Sequence, residues 1–188
     1  MREDHRSRIS KILIRDAFVD LLSTKTINEI SVKELCAKAD INRGTFYSHY
    51  LDINDLLNHL EEELIMEFKS KLEPLLNSTV SGDTLYYSLI ELFNFIIENK
   101  NMRIFLNPRS DKSFLTKLIS LGRKLMIDEY RNHFKNADDN KLNNFYTFSA
   151  NGCIGILLDW YQNGMKTSKE ELASTLEKLV NYSIKYLL

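Results

Sequence analysis

Apolar residues in this chain fall three and four positions apart almost throughout. From Ile9 they recur as Ile9, Ile12, Leu13, Ala17, Leu21 and Leu22, one stripe of an amphipathic helix. Ser31-Val-Lys-Glu34 has the form of a capping box, in which Ser31 accepts from the Glu34 amide and the Glu34 carboxylate bonds back. Val32, Leu35, Cys36 and Ala39 then give a short second helix its buried face. Asp40-Ile41-Asn42 interrupts it, and Asn42 is a good N-cap for a third short helix from Arg43 to about His49, with Phe46 and Tyr50 inward. Asp52 caps a fourth segment, where Leu56, Leu60, Leu64, Phe68 and Leu72 follow every four residues up to Pro74.

The remainder repeats the pattern less cleanly. Thr84 to Asn99 carries Leu85, Leu89, Leu92, Phe93 and Ile96, and Pro108 with its neighbours makes a break. Phe114 to about Phe134 carries Leu118, Leu121, Leu125 and Ile127, Asp138-Asp139 falls in a polar turn and reads as capping or solvation, and Leu142 to Asn163 is rich in aromatics. Ser168-Lys-Glu-Glu171 is a second capping box, opening a last helix with Leu172, Leu176, Leu179, Val180 and Leu187. The pattern predicts an all-α protein of about nine helices.

Composition agrees. Six glycines and two prolines in 188 residues are too few for the many tight turns of a sandwich or barrel. Cys36 and Cys153 form no C-x-x-C and no zinc spacing with His5, His49, His59 or His133; they read as two buried free thiols, and neither metal nor cofactor is expected. The first residues contain no apolar signal core and no stretch approaches a membrane span, so a cytoplasmic protein is expected. G-x-S-x-G, H-E-x-x-H, P-loop and dinucleotide fingerprints are missing, so binding is expected rather than catalysis. The net charge of −1 at first argues against a nucleic-acid partner. It hides an asymmetry: residues 1–50 carry nine basic and seven acidic residues, and the rest carry sixteen and nineteen.

That mildly basic head has the shape of a helix-turn-helix, whose last short helix enters a major groove about 12 Å wide. Its outward residues, Asn42, Arg43, Thr45, Tyr47, Ser48 and His49, are donors suited to phosphates and base edges, with no acid among them. Gly44 costs about 1 kcal/mol of helix propensity, a cost explained by close approach to another surface.

The stretch Ile30 to Tyr50, followed by Asp52, Asp55, Leu56 and Leu57, resembles the DNA-binding domain of the tetracycline-repressor (TetR) family in order, spacing and residue type over roughly residues 8 to 60. The resemblance implies a homodimeric transcription factor, more often repressor than activator. Residues 1–51 would bind double-stranded DNA at a palindromic operator, and residues 52–188 would form a larger helical domain that dimerises and binds an unidentified small-molecule effector. Position by position it assigns Ser31 and Lys33 to the start of the second helix, Arg43, Gly44 and Thr45 to the start of the recognition helix, and Tyr47 and His49 to phosphate contacts. Two positions depart from the pattern. Asp40 stands where the family's turn usually has Gly, and Asp tolerates a left-handed backbone better than most residues. Ile53 stands where a Lys is usual, which removes one phosphate contact and either lowers affinity or shifts its work to the amide dipole at that helix start. The apolar Ile53 also keeps open another class, a helical co-regulator acting through a protein partner.

Ala150 to Gly164 and Ser168 to Leu172 look like the last two helices of a subgroup of the family, where they make a four-helix dimer interface. Gly152, Gly155, Ile156, Asp159, Leu172, Leu176 and Leu179 are the interface candidates. Tyr86, Phe93, Phe105, Phe148 and Trp160, with Phe95 and Tyr161 beside them, are the candidates to line an effector pocket.

Overall fold

The structure is a computed structural model describing residues 5–77, 84–106 and 112–188; the break expected around Pro108 lies outside them. Every regular element among the described residues is helical: α1 (His5–Leu22), α2 (Val32–Ala39), α3 (Arg43–Tyr47), α4 (Ile53–Asn77), α5 (Thr84–Glu98), α6 (Lys100–Ile104), α7 (Ser113–His133), α8 (Asp139–Gln162) and α9 (Lys169–Ser183), with 3-10 turns at Ile27–Glu29 and Ile184–Tyr186. The all-α reading therefore holds. The chain divides into two compact units, Met1–Leu64 with Asn101–Asp111, and Ile65–Lys100 with Lys112–Leu188.

In the first unit α1 packs on α2, and α2 on α3. The core face of α1 is Ile14, Ala17, Phe18 and Leu21, at i, i+3, i+4 and i+7. This corrects the expected stripe: Ile9, Ile12 and Leu13 are exposed at 43–49%. Two apolar stripes compete along this helix, and the one containing the large Phe18 and Ile14, both fully enclosed, takes the core. Ile30, Leu35, Phe46, Tyr50, Leu56 and Leu60 are buried in the same unit, as are Met102, Phe105 and Leu106 at the α6 end. The short α6 follows Glu98 after a single residue and has no periodic run of its own, so the sequence pattern misses it. Helix α4 runs three residues beyond Pro74, where the pattern stopped it; proline removes one backbone bond but does not unfold the residues that follow.

In the second unit α5 packs on α9 and α7 on α8. Leu142, Phe145, Val180 and Leu187 are buried together, joined by Leu85, Ile127, Tyr130, Phe134, Cys153 and Ile184. Asp138 caps α8 by accepting from the Lys141 amide at 2.7 Å, and Ser168 caps α9 through the Glu171 amide at 3.1 Å. Helices α7 and α8 are tied by side chains. The Tyr146 hydroxyl donates to the Ile119 carbonyl at 2.8 Å across Gly122, where a Cβ would lie 2.5 Å from that hydroxyl. Arg123 donates to Asn143 Oδ1 at 2.5 Å and Thr147 Oγ1 at 2.8 Å, with its guanidinium over the Tyr146 ring. No helix among the described residues is long and apolar enough to cross a membrane.

Candidate nucleic-acid interface

The interface is built by α2, the turn after it, and α3. Ser31 caps α2 by accepting from the Glu34 amide at 3.2 Å. The Glu34 carboxylate does not complete the expected box; it pairs with Lys25 Nζ at 2.5 Å. At the other end Asp40 adopts the left-handed conformation, φ 52° and ψ 47°, and the Ile41 amide reaches back to the Cys36 carbonyl at 3.0 Å. Aspartate thus makes the turn that glycine usually makes.

Asn42 then opens α3. Its Oδ1 accepts from the Thr45 amide at 2.7 Å and the Thr45 hydroxyl at 3.1 Å. A Cβ on Gly44 would sit 3.2 Å from that same oxygen, so glycine gives the cap room as well as leaving the outer surface flat. Phe46 is fully enclosed beneath the helix and stacks near Tyr50, whose ring meets His59 edge-on at 5.5 Å. Burial, the largest influence, raises the Tyr50 pKa, and nearby Arg15 opposes it. This apolar underside fixes which way the rest of α3 faces.

Of the nine expected DNA contacts, Ser31, Lys33, Asn42, Arg43, Gly44, Tyr47 and Ser48 are exposed, while Thr45 and His49 are half-buried. Tyr47 stands out at 56% exposure beside Arg43 and Gly44. Three of the polar groups are partly engaged within the head. Asn42 Oδ1 and the Thr45 hydroxyl serve the cap, and Ser48 Oγ donates to the Thr45 carbonyl at 2.7 Å. Lys25 is paired with Glu34, and Lys38 with Asp20 at 3.5 Å, whereas Lys33 and Arg43 project into solvent. The surface offers a phenol, amide, hydroxyl and imidazole donors and two extended cations, a set suited to phosphate oxygens and base edges.

Ile53 is 8% exposed and belongs to the core, so it presents no apolar surface to a protein partner. The expected amide site at the start of α4 is used in part from within. Asp52 Oδ1 accepts from the Asp55 amide at 2.8 Å, and Asp55 Oδ2 accepts from the Leu51 amide at 2.9 Å. Two carboxylates therefore lie beside the helix start at which a phosphate was expected to dock.

The candidate effector and pairing residues separate by face. Phe93 and Trp160 meet inside the second unit with ring centroids 5.4 Å apart, and Trp160 Nε1 donates to the Thr167 carbonyl at 2.8 Å. Tyr86 is half-buried against Tyr87, and Phe105 is buried within the first unit. Phe148 points out of α8 at 71% exposure. Phe148 instead joins Gly152, Gly155 and Asp159 on the outward face of α8, beside exposed Leu179, Tyr182 and Tyr186 of the C-terminal segment. A cleft of about 400 Å³ lies between Asn144, Phe145, Phe148, Tyr182, Ser183 and Tyr186. Ile156 is half-buried, and Leu172 and Leu176 are buried within the protomer, so their burial is already satisfied there. In the sequence Tyr182 and Tyr186 stand out only by their spacing of four residues, beside the stronger leucine stripe of the last helix.

A family profile described as the C-terminal region of a transcriptional regulator of TetR type matches residues 83–182. No curated protein sequence matches the chain. Among solved structures, the fatty acid degradation regulator FadR from Bacillus halodurans superposes with a TM-score of 0.74 at 14% identity, covering 96% of each chain. A TetR-like transcriptional regulator from Rhodococcus sp. RHA1 gives 0.69 at 18% identity, over 94% of this chain and 96% of its own. The dihydroxyacetone kinase operon activator DhaS gives 0.54 at 23% identity, over 95% and 97%. At these identities the structures establish the shared fold, and the profile match over more than half of the residues establishes kinship. The chain belongs to the TetR family of transcriptional regulators.

Proposed function

We propose that this regulator is a homodimeric repressor that binds a palindromic operator and is released from it by a small-molecule effector. Residues 1–51 act as the DNA-binding head and residues 52–188 as the regulatory and pairing domain. The observation that carries the reading is the outward face of α3: Arg43, Gly44, Tyr47 and Ser48 exposed over a fully buried Phe46, with no carboxylate among them. Two such helices enter successive major grooves roughly 34–36 Å apart. An effector that binds better to a wider spacing lowers DNA affinity by its differential affinity for the two states. The protein acts by binding and not by catalysis.

Pairing is supported by α8. Gly152 and Gly155 lie on its exposed face with nothing within 4 Å of an added Cβ. Each costs about 1 kcal/mol of helix propensity without relieving any crowding inside the protomer. Close approach of a partner helix accounts for both. The test is retardation of duplex DNA from the protein's own upstream region. A shifted complex at low salt is expected; failure of every fragment to shift would overturn the reading.

A further inference from the structure

The apolar stripe that α1 leaves outside the core of its unit carries a second pattern. Ile9, Ile12 and Leu13 are exposed at 43%, 49% and 43%. One exposed aliphatic side chain is ordinary; three in successive turns of one helix make a patch. Arg6 stands three residues before Ile9, and Asp16 three residues after Leu13. Arg6, Ile9, Leu13 and Asp16 are thus spaced by three, four and three, the rhythm of helices that pair along a seam. None of the four belongs to the buried face of Ile14, Ala17, Phe18 and Leu21.

The order of these residues selects the partner. Turned end for end about Lys11, the stripe maps onto itself: Ile9 falls on Leu13, and Arg6 falls on Asp16. Two copies laid antiparallel therefore set apolar side chain against apolar side chain, with guanidinium against carboxylate at both ends. The same patch serves on each copy, as a two-fold contact requires. A parallel pair would set Arg6 against Arg6 and Asp16 against Asp16, which repulsion opposes. A wholly acidic or wholly basic partner would match only one end of the stripe. A nucleic acid would meet the carboxylates of Asp16 and of Asp20, whose side chain is 66% exposed beside Lys38. Arg15 is paired with Glu63 on α4 and lies off the stripe.

We propose that a second copy of this chain docks on the outer face of α1, with the two helices antiparallel and Ile9 set against Leu13. Helix α1 has 18 residues, about 27 Å of length, so the contact is small and belongs to the weak, reversible class. It is distinct from pairing through α8 and stands whether or not the protein binds DNA. Where DNA binding holds, it lets neighbouring regulators on one duplex raise each other's occupancy, because the duplex raises their effective concentration.

Sedimentation equilibrium of the full chain, without DNA, at low salt and at micromolar concentrations and above, tests this. The average mass is expected to rise past that of the smallest species, be it a protomer or an α8 pair, and added salt should reduce the rise. Leu13→Glu should weaken this step at least about tenfold, since it puts a charge into each apolar contact. Arg6→Glu and Asp16→Arg should each weaken it about fivefold to tenfold, by setting like charges together at both ends. The double exchange Arg6→Glu with Asp16→Arg should return association to within about threefold of the wild type, a recovery that misfolding cannot produce. Gly155→Leu should leave the α1 step in place. No association in the wild type beyond its smallest species, indifference to Leu13→Glu, a double exchange as weak as its single variants, or loss of all association in Gly155→Leu would overturn the proposal. Failure of upstream DNA to be retarded removes the regulatory reading and leaves this contact untouched.

Discussion

Single residues set the reading head, and Asp40 is the sharpest case. Its φ of 52° places a non-glycine residue in the left-handed region, between the helix that braces and the helix that reads. A β-branched residue is strongly disfavoured there, whereas glycine is at ease. Asp40→Val should lower stability by about 1–2 kcal/mol, while Asp40→Gly should match or exceed the wild type in thermal denaturation. A Val variant as stable as the Gly variant would show that this turn carries no strain. The turn was legible in the sequence because Asp is one of the few residues that tolerates it. The role of Gly44 was legible only in part. Its crowding against Asn42 Oδ1 depends on the rotamer that the cap imposes, which spacing alone does not reveal.

Pairs of helices carry the next level, and α7 with α8 gives a direct test. In Gly122→Ala the new methyl would lie 2.5 Å from the Tyr146 hydroxyl, so Tyr146 must surrender its bond to Ile119. Overpacking of this kind costs about 1–3 kcal/mol, partly offset by about 1 kcal/mol of helix propensity. Adding Tyr146→Phe should recover most of the loss, because the nearest ring carbon is at an ordinary 3.7 Å. No rescue in the double variant would mean that the hydroxyl is not what glycine accommodates. The same buried groups fix an alkaline limit. Tyr130 and Tyr146 titrate near 12 and Cys153 near 11 when folded, against ordinary values of 10 and 9. The unfolded chain therefore loses these protons first, and their contribution is full below about pH 9 and falls away towards pH 12. Thermal midpoints should decline through that window, with a later onset in Cys153→Ala; an unchanged onset would exclude the thiol. The positions of α1 to α5 and α7 to α9, and the caps at Ser31, Asn42 and Ser168, were legible because a period of three to four residues and a capping side chain are strong signals. The face of α1, the short α6 and the last turn of α4 were not, since competing stripes and tertiary burial decide them.

For the whole molecule, the proposed pairing and the proposed DNA binding call for separate tests. Gly155→Leu should raise the stability of the protomer by about 1 kcal/mol while weakening self-association at least about tenfold in sedimentation, because bulk replaces a close approach. Undiminished association would move the interface off α8. With Lys33 and Arg43 as the extended cations on the α2 and α3 surface of each head, the salt dependence of DNA binding should be shallow, with a logarithmic slope of about −4 and not as steep as about −8. The measurement that bears most directly on the central claim is the affinity of wild type and Arg43→Ala for an upstream operator duplex and a scrambled duplex, by fluorescence anisotropy at low salt. The account predicts that the wild type prefers the operator, and that Arg43→Ala loses about 1–3 kcal/mol and most of that preference. Wild type that binds neither duplex, or Arg43→Ala that keeps full affinity and discrimination, would contradict it.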